Sequence, residues 1–341
     1  MVVPRRALLV IVAAAAACKD PAPAPAGTAT PPPPPREITA VPVTPTPLVG
    51  DELAAAYVDG WTAWSHGDRA GFARRYAADV VGHAATGADD ERRGRDAVVA
   101  AAWALRADVP DAVAEPMLVL VNQRTVAAIV RVVGTAPPAG PGAPATATPL
   151  GVLWFHQATF DDANQIADEW SLLDHATVRG QLGQAPGPVR PALPAVPATT
   201  TVEVSAASGL ERANLATVEQ AAAGFARRDV AAATAALTEH TTDSDQTLPA
   251  DLGGVAAIAP GLRGLFARHP DLIRAPLTLW GAGDFVVSLA RLTVGPATVT
   301  VAEIALFQRG QIRRRWRFYD RAGLATPLFA PPARGRPARA R

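Results

Sequence analysis

The chain of 341 residues contains one cysteine, Cys18, so no disulfide can form within it. Charged residues make up only 18% and the formal net charge is +1, which excludes the basic footprint of a nucleic-acid binder. The six histidines show no HxxxH or HExxH spacing and have no cysteine partners, so the usual zinc sites are excluded. There is no G-x-S-x-G elbow, Walker loop or dinucleotide fingerprint, and no cofactor is implied. Long apolar runs are scarce as well. "ALLVIVAAAAA" follows Arg5 and Arg6, ends just before Cys18 and is too short to span a bilayer.

What is present begins with a leader. Residues 1–17 read as a signal peptide, and Cys18 after a run of small residues resembles the lipobox of bacterial lipoproteins. That resemblance implies export, lipidation of Cys18 and anchoring to the bacterial cell envelope, on its periplasmic or outer face. The alternative is a plain signal peptide with an incidental cysteine. Residues 18–49, with "PPPPP" at 31–35, form a proline-rich tether, because proline removes backbone donors and favours extended, solvated chain. A second proline-rich stretch, 184–204, divides the remainder, and residues 330–341 are a basic tail read as a solvated end.

The two blocks, 50–183 and 205–329, are one pattern written twice. Setting Gly94 on Gly254 places Pro110-Asp111 on Pro270-Asp271, Pro116 on Pro276 and Arg131 on Arg291 without a gap. Upstream, Asp68 falls opposite Asp229. The motif "ADEWSLLDHATVRGQL" (167–182) returns as "RRRWRFYDRAGLATPL" (313–328), with Trp170, Asp174 and Leu182 matched by Trp316, Asp320 and Leu328. Each copy opens with a helical periodicity, over 51–66 and 209–227. Asp68 and Asp229 then stand where an aspartate accepts from the free N–H groups of a helix's first turn. A third helix follows ("RDAVVAAAWALRA" and "VAAIAPGLRGLFAR"). The rest alternates as strand, ending in "QIADEWSLLD" and "QIRRRWRFYD". Helices first and an antiparallel sheet after predict an α+β fold.

Gly94-Arg95, Pro110-Asp111, the last strand with Ile166, Asp168, Trp170 and Asp174, and Gln181-Leu182-Gly183 together resemble the SnoaL-like polyketide cyclase or ester cyclase group of the nuclear-transport-factor-2-like superfamily. The resemblance covers about 50–183 and 205–329. It implies two cystatin-like cones, each with about three N-terminal helices packed on a curved antiparallel sheet, and a cavity between helices and sheet. The second copy keeps Ile312, Trp316, Asp320 and Leu328 but has Arg314 in place of the acid and lacks Gln-Leu-Gly, so it reads as degenerate. Such domains commonly pair through their sheets, which implies a pseudo-dimer within one chain.

Strand alternation puts Ile166, Asp168, Trp170, Leu172 and Asp174 on one face. The resemblance makes that face the cavity wall, with Asp174 as general acid/base and Asp168 and His156 in support. Burial among apolar side chains raises a carboxyl pKa toward the working pH, as proton transfer beside a carbonyl requires. The competing reading is that Asp174 ends the strand and caps the following turn. Trp61, Trp64, Tyr76, His83, Trp103, Arg131 and Trp170 are candidates to line a ligand pocket, the aromatics equally candidates for plain core. In the second copy the candidates are Asp320, Trp316, Arg314, Glu303, which answers His156, and Arg291, which is expected with Arg131 to meet a buried acid. Arg313, Arg315 and Arg317 are expected on a solvated outer face, with Arg314 turned inward. Two functions stay open on the sequence: a cofactor-free cyclase or isomerase acting on a small, mostly apolar ligand in the first domain, or a non-catalytic binding and interaction module.

Overall fold

The computed structural model describes residues 46–84, 91–137, 147–322, 324 and 326–331. The signal peptide, Cys18, the tether up to residue 45 and the tail from residue 332 lie outside the described residues. Residues Thr44–Arg341 group as one compact unit. Among the described residues no helix is long and apolar enough to cross a membrane.

Helix α1 (Gly50–Ser65) begins with Asp51 and Glu52, whose charges suit a helix N-terminus. Leu53, Tyr57, Trp61 and Trp64 recur along one face, and all four are buried. Asp68 caps α2 (Arg69–Ala73) by accepting the Gly71 N–H at 2.8 Å. There follow β1 (Tyr76–His83), β2 (Glu91–Arg93), α3 (Arg95–Asp108), β3 (Val113–Asn122), β4 (Thr125–Ala136), β5 (Thr148–Phe160), β6 (Ile166–Leu172), the short α4 (His175–Gln181) and β7 (Thr201–Val204).

The second half repeats the series. Helix α5 (Gly209–Ala226) starts with a capping box between Ser208 and Glu211, and Asp229 caps α6 (Val230–Ala233). Then come β8 (Leu237–Asp245), β9 (Leu252–Gly253), α7 (Val255–Arg268), β10 (Ile273–Ala282), β11 (Phe285–Val294), β12 (Ala297–Gln308) and β13 (Gln311–Phe318). One glycine position explains part of the repeat. Gly94 and Gly254 precede α3 and α7 at φ 89° and 77° with ψ near 150°, a conformation that only glycine adopts freely. Each donates its N–H to the strand before it, Gly94 to Val80 O and Gly254 to Thr241 O, both at 2.8 Å.

The first sheet has the order β2-β1-β6-β5-β4-β3-β7 and the second, read from its other end, β9-β8-β13-β12-β11-β10. Neither sheet is wholly antiparallel: β1 runs parallel to β6, and β8 parallel to β13. The repeated prolines Pro116 and Pro276 sit at matching register shifts, where a missing N–H is tolerated. The stretch 184–204 is not a free linker. Its Thr201–Val204 adds strand β7 parallel to β3, and the preceding residues are tied to the first sheet through Leu193 N–H to Gly151 O at 3.0 Å.

The face of each sheet that holds the core differs by strand position. On the inner face of the first sheet, Val126, Ala128, Val130 and Trp154 pack against Tyr57, Trp61, Trp64 and Val98. On its outer face, Leu120, Ile129, Phe155, Trp170 and Leu172 share one apolar cluster with Val287, Leu289, Ile304 and Phe318 of the second sheet. Phe155 and Phe318 meet with ring centroids 5.7 Å apart. Two sheets back to back thus leave each helical layer outward, and each half encloses its own cone.

Candidate functional site

The first cone is filled by its own side chains. Trp61 stands edge-on to Trp64, Trp154 and His156, with centroids 5.4–6.2 Å apart, and Phe72 packs on Trp61, Tyr76 and Trp103. The space left among Tyr57, Trp61, Tyr76 and His156 is about 10 Å³, room for one water at most, which needs roughly 10–15 Å³. Trp61, Trp64, Tyr76 and Trp103 are therefore core rather than a pocket floor. The polar atoms inside satisfy one another: Tyr57 Oη lies 2.9 Å from His156 Nδ1, and His156 Nε2 lies 2.7 Å from Glu169 Oε2. A proton on Nε2 serves both contacts, with Nδ1 accepting from the tyrosine. Burial pushes both the Tyr57 and Tyr76 hydroxyl pKa values well up.

The acid inside this cone is Glu169, not Asp168 or Asp174. A register shift between β5 and β6 pairs Phe160 with Ile166 but Thr159 with Asp168. Ala167 is the extra residue, so Ile166 faces the helices while Asp168, Trp170 and Leu172 turn outward. Asp168 contacts His83 at 2.8 Å, and His83 stacks on Trp170 with centroids 4.2 Å apart, at the sheet edge. Neither aspartate lines the cavity. Asp174 is the N-cap of α4, accepting the Thr177 N–H at 3.1 Å and its hydroxyl at 2.6 Å. It also accepts the Arg321 N–H at 3.2 Å and pairs with Arg321 Nε at 3.3 Å. Burial pushes its pKa up against the pull of Thr177 and Arg321, yet both carboxylate oxygens are already engaged by the fold.

Arg131 also departs from a ligand role. It meets an acid, Glu115, as expected, but on the outer face, and it donates to the carbonyls of Pro194 and Val196. Among the described residues its counterpart Arg291 has no acid partner, and its Nε makes no hydrogen bond. Gln181 helps tie the stretch 184–204, a strap along the first sheet, to that sheet. Its amide bonds both backbone groups of Gly151, at 3.0 and 3.1 Å, and the carbonyl of Arg190 at 2.8 Å.

The second cone is built on the same positions and is open. Counting from Asp68 and Asp229, Tyr57, Trp61, Phe72 and Tyr76 fall on Val218, Ala222, Ala233 and Leu237, while sheet register puts Trp154 on Val301. All five smaller residues line a cavity of about 90 Å³. The same register replaces Gly82 by Asp243, Ala114 by Arg274, Ala128 by Ser288, His156 by Glu303, Glu169 by Arg315 and Ser171 by Arg317. All six of these polar residues line it too. The bulge at Arg313 again inverts the alternation: Arg315 and Arg317 point inward, while Arg314 and Trp316 face outward, stacked at 4.8 Å. Arg314 and Trp316 are therefore not pocket residues, Arg315 and Arg317 not a solvated stripe. Asp320, like Asp174, is spent on the closure, accepting from Ala322 N–H and His175.

Residues 52–182 match the family model of the SnoaL-like polyketide cyclases. The first half is a SnoaL-like domain. Among solved structures, AclR from Streptomyces galilaeus is 19% identical over 40% of this chain and 98% of its own, with a TM-score of 0.35. IdmH from Streptomyces antibioticus is 22% identical over 39% and 99%, with a TM-score of 0.34. A cystatin-fold protein from Novosphingobium aromaticivorans is 21% identical over 30% and 96%, at 0.28. No curated protein matches the chain. The second half, outside the matched span, repeats the strand order of the SnoaL-like domain, and the fold is α+β with two cones of the nuclear-transport-factor-2-like kind.

Relative to the SnoaL-like domain, the second cone carries a charged floor. Arg315 grips Asp243 with two bonds of 3.0 and 2.8 Å, and Arg317 donates to Glu303 at 2.8 Å and to Asp243 at 3.3 Å. Asp245 lies behind, 3.6 Å from Arg317. Burial would raise the Asp243 and Glu303 pKa values, but the two guanidiniums outweigh it and hold both carboxyls low. For Asp245 burial wins, and its pKa is raised. Among the described residues no cluster of three or more His, Cys, Asp or Glu could hold a metal ion. Of the groups in this floor, the sequence offered Glu303 alone as a site candidate and put Arg315 and Arg317 on the outer face. The signal for the others was present in the repeat: bulky residues of one copy standing opposite small ones of the other.

Proposed function

We propose that this chain is a lipid-anchored SnoaL-like protein of the cell envelope that binds a small organic ligand, and that the ligand sits in the second cone. The observation that carries the reading is the exchange of five bulky residues for Val218, Ala222, Ala233, Leu237 and Val301, which opens about 90 Å³ next to fixed charges. Apolar walls with a few placed polar groups are the usual make-up of a small-molecule site. The first domain then serves as its rigid partner, the two halves joined as an intramolecular pseudo-dimer through the shared cluster of Phe155, Trp170, Ile304 and Phe318. Anchoring through Cys18 is supported by the leader and the proline-rich tether.

A second reading is cofactor-free acid/base chemistry in the first cone. The buried series Tyr57, His156 and Glu169 favours it, with His156 rather than Asp174 handling the proton. Native mass spectrometry of full-length protein from its own host separates the two readings. Retained ligand that is lost in Ala222→Trp but kept in His156→Gln supports the second cone. Loss in His156→Gln alone, with unchanged melting, supports the first.

A further inference from the structure

Resting on the second cone as the seat, the polar groups left unshared there narrow the ligand's chemistry. Arg274 reaches the cavity from β10 and makes no hydrogen bond or ion pair to the described protein, although it stands near enough to Glu303 to help hold that carboxyl low. Arg315 spends Nε and one Nη on Asp243, and its other Nη is 3.8 Å from Glu303, beyond hydrogen-bond reach. Ser288 is only 5% exposed, and among the described residues its hydroxyl has no hydrogen-bond partner. Register pairs it with Glu303 on the neighbouring strand. An entering molecule therefore meets three sets of idle donors in one corner of an apolar cone.

The acceptors are mostly taken. Asp243 is bound by two arginines, and Glu303 gives one oxygen to Arg317, which leaves one unshared carboxylate oxygen. The charges lining the cavity are Arg274, Arg315 and Arg317 against Asp243 and Glu303, an excess of one positive. Counting Asp245 behind Arg317 brings the cluster to balance, with Arg274 its one unpaired guanidinium. A cationic guest would find only the one unshared Glu303 oxygen, with three guanidiniums lining the same cavity. An anionic guest completes the set without breaking a bond.

We infer that the second cone takes a small organic anion, a carboxylate on an apolar body, with the carboxylate held by Arg274, the free Nη of Arg315 and the Ser288 hydroxyl. The apolar body lies against Ala222, Ala233, Val301 and Phe329. Nothing comparable exists in the first cone, where the three positions are Ala114, Glu169 and Ala128. Planar, paired donors suit a carboxylate better than a lone charge does.

The test uses one body with three heads: 4-fluorophenylacetate, 4-fluorophenylacetamide and 4-fluorophenethylamine. Each is titrated with the full-length protein in a nonionic detergent and followed by fluorine NMR line width. The expected result is that the carboxylate binds about tenfold tighter than the amide. That preference should disappear in Arg274→Gln, whose side chain supports no protein contact, and all binding should disappear in Ala222→Trp. Ala290→Leu is a second, milder block should the tryptophan variant not fold. Equal affinity for acid and amide, or tightest binding of the amine, overturns the anion while the blocking variants still certify the cone. Binding that is absent for all three, or untouched by both blocks, overturns the cone as the seat and the anion with it.

Discussion

Asp174 receives the backbone N–H of Arg321, the residue that follows Asp320, at 3.2 Å. The relation is reciprocal, for Asp320 receives the ring of His175, the residue that follows Asp174, at 2.9 Å. Each copy's closing aspartate thus holds the chain just past the other copy's last strand. The repeated Trp-x-x-x-Asp is a clasp between halves, and the caps it forms explain why the acid persists in the copy that lost the neighbouring one.

Asp174→Ala is expected to destabilise the protein by about 3 kcal/mol, since it removes a cap and leaves Arg321 without its buried partner. Asp174→Asn, which still caps, should lose less. Urea unfolding with an unchanged slope checks this; an unmoved midpoint for the alanine variant would defeat the clasp.

His175 gives the clasp a pH dependence. Its bond to Asp320 raises the imidazole pKa above the ordinary 6.5, with burial opposing. A raised folded value means stability that is complete below about 6.5 and fades as pH climbs through the raised value. The imidazole is 64% exposed, so solvent limits the effect to about 0.5–1 kcal/mol. His175→Gln should therefore match wild type in alkaline solution and fall below it in mild acid; parallel pH profiles would contradict this.

Trp61→Ala should cost roughly 3–5 kcal/mol and open the first cone. A new apolar void binds benzene, so benzene should raise the variant's melting temperature and leave wild type unmoved. If benzene stabilises both alike, the first cone is not filled in the way its ring contacts imply.

Arg131→Ala should free the strap that runs from 184 to 200. Losing a charge-assisted hold worth about 1.5 kcal/mol would speed proteolytic cutting in that segment roughly tenfold while the sheets stay intact. Gly151→Val should act alike, because a Cβ there would sit 2.2 Å from Leu193 N. Cutting elsewhere first would show that the strap is not the element these residues secure.

The pairing of copies was legible because glycine, proline and cap aspartate are dictated by backbone geometry at single positions, and geometry survives when side chains diverge. Helices α1, α3, α5 and α7 and strands β4, β5, β11 and β12 were likewise written in their periodicity. Strand β8, "LTEHTTDSD", was not: its partner is the distant β13, and its inward Asp243 is tolerable only beside Arg315 and Arg317.

Sequence alone determined the duplicated α+β fold and the closing motif, since each rests on local backbone preference. Only tertiary structure decided which face is inside. One extra residue, Ala167 in the first copy and Arg313 in the second, reverses every side chain after it. A bulge leaves no mark in an apolar alternation, because it is specified by the register of the neighbouring strand. For the same reason Arg315 and Arg317, read as part of an outer stripe, became the floor of a cavity, while Asp174, read as catalytic, became half of the clasp that holds two cones together.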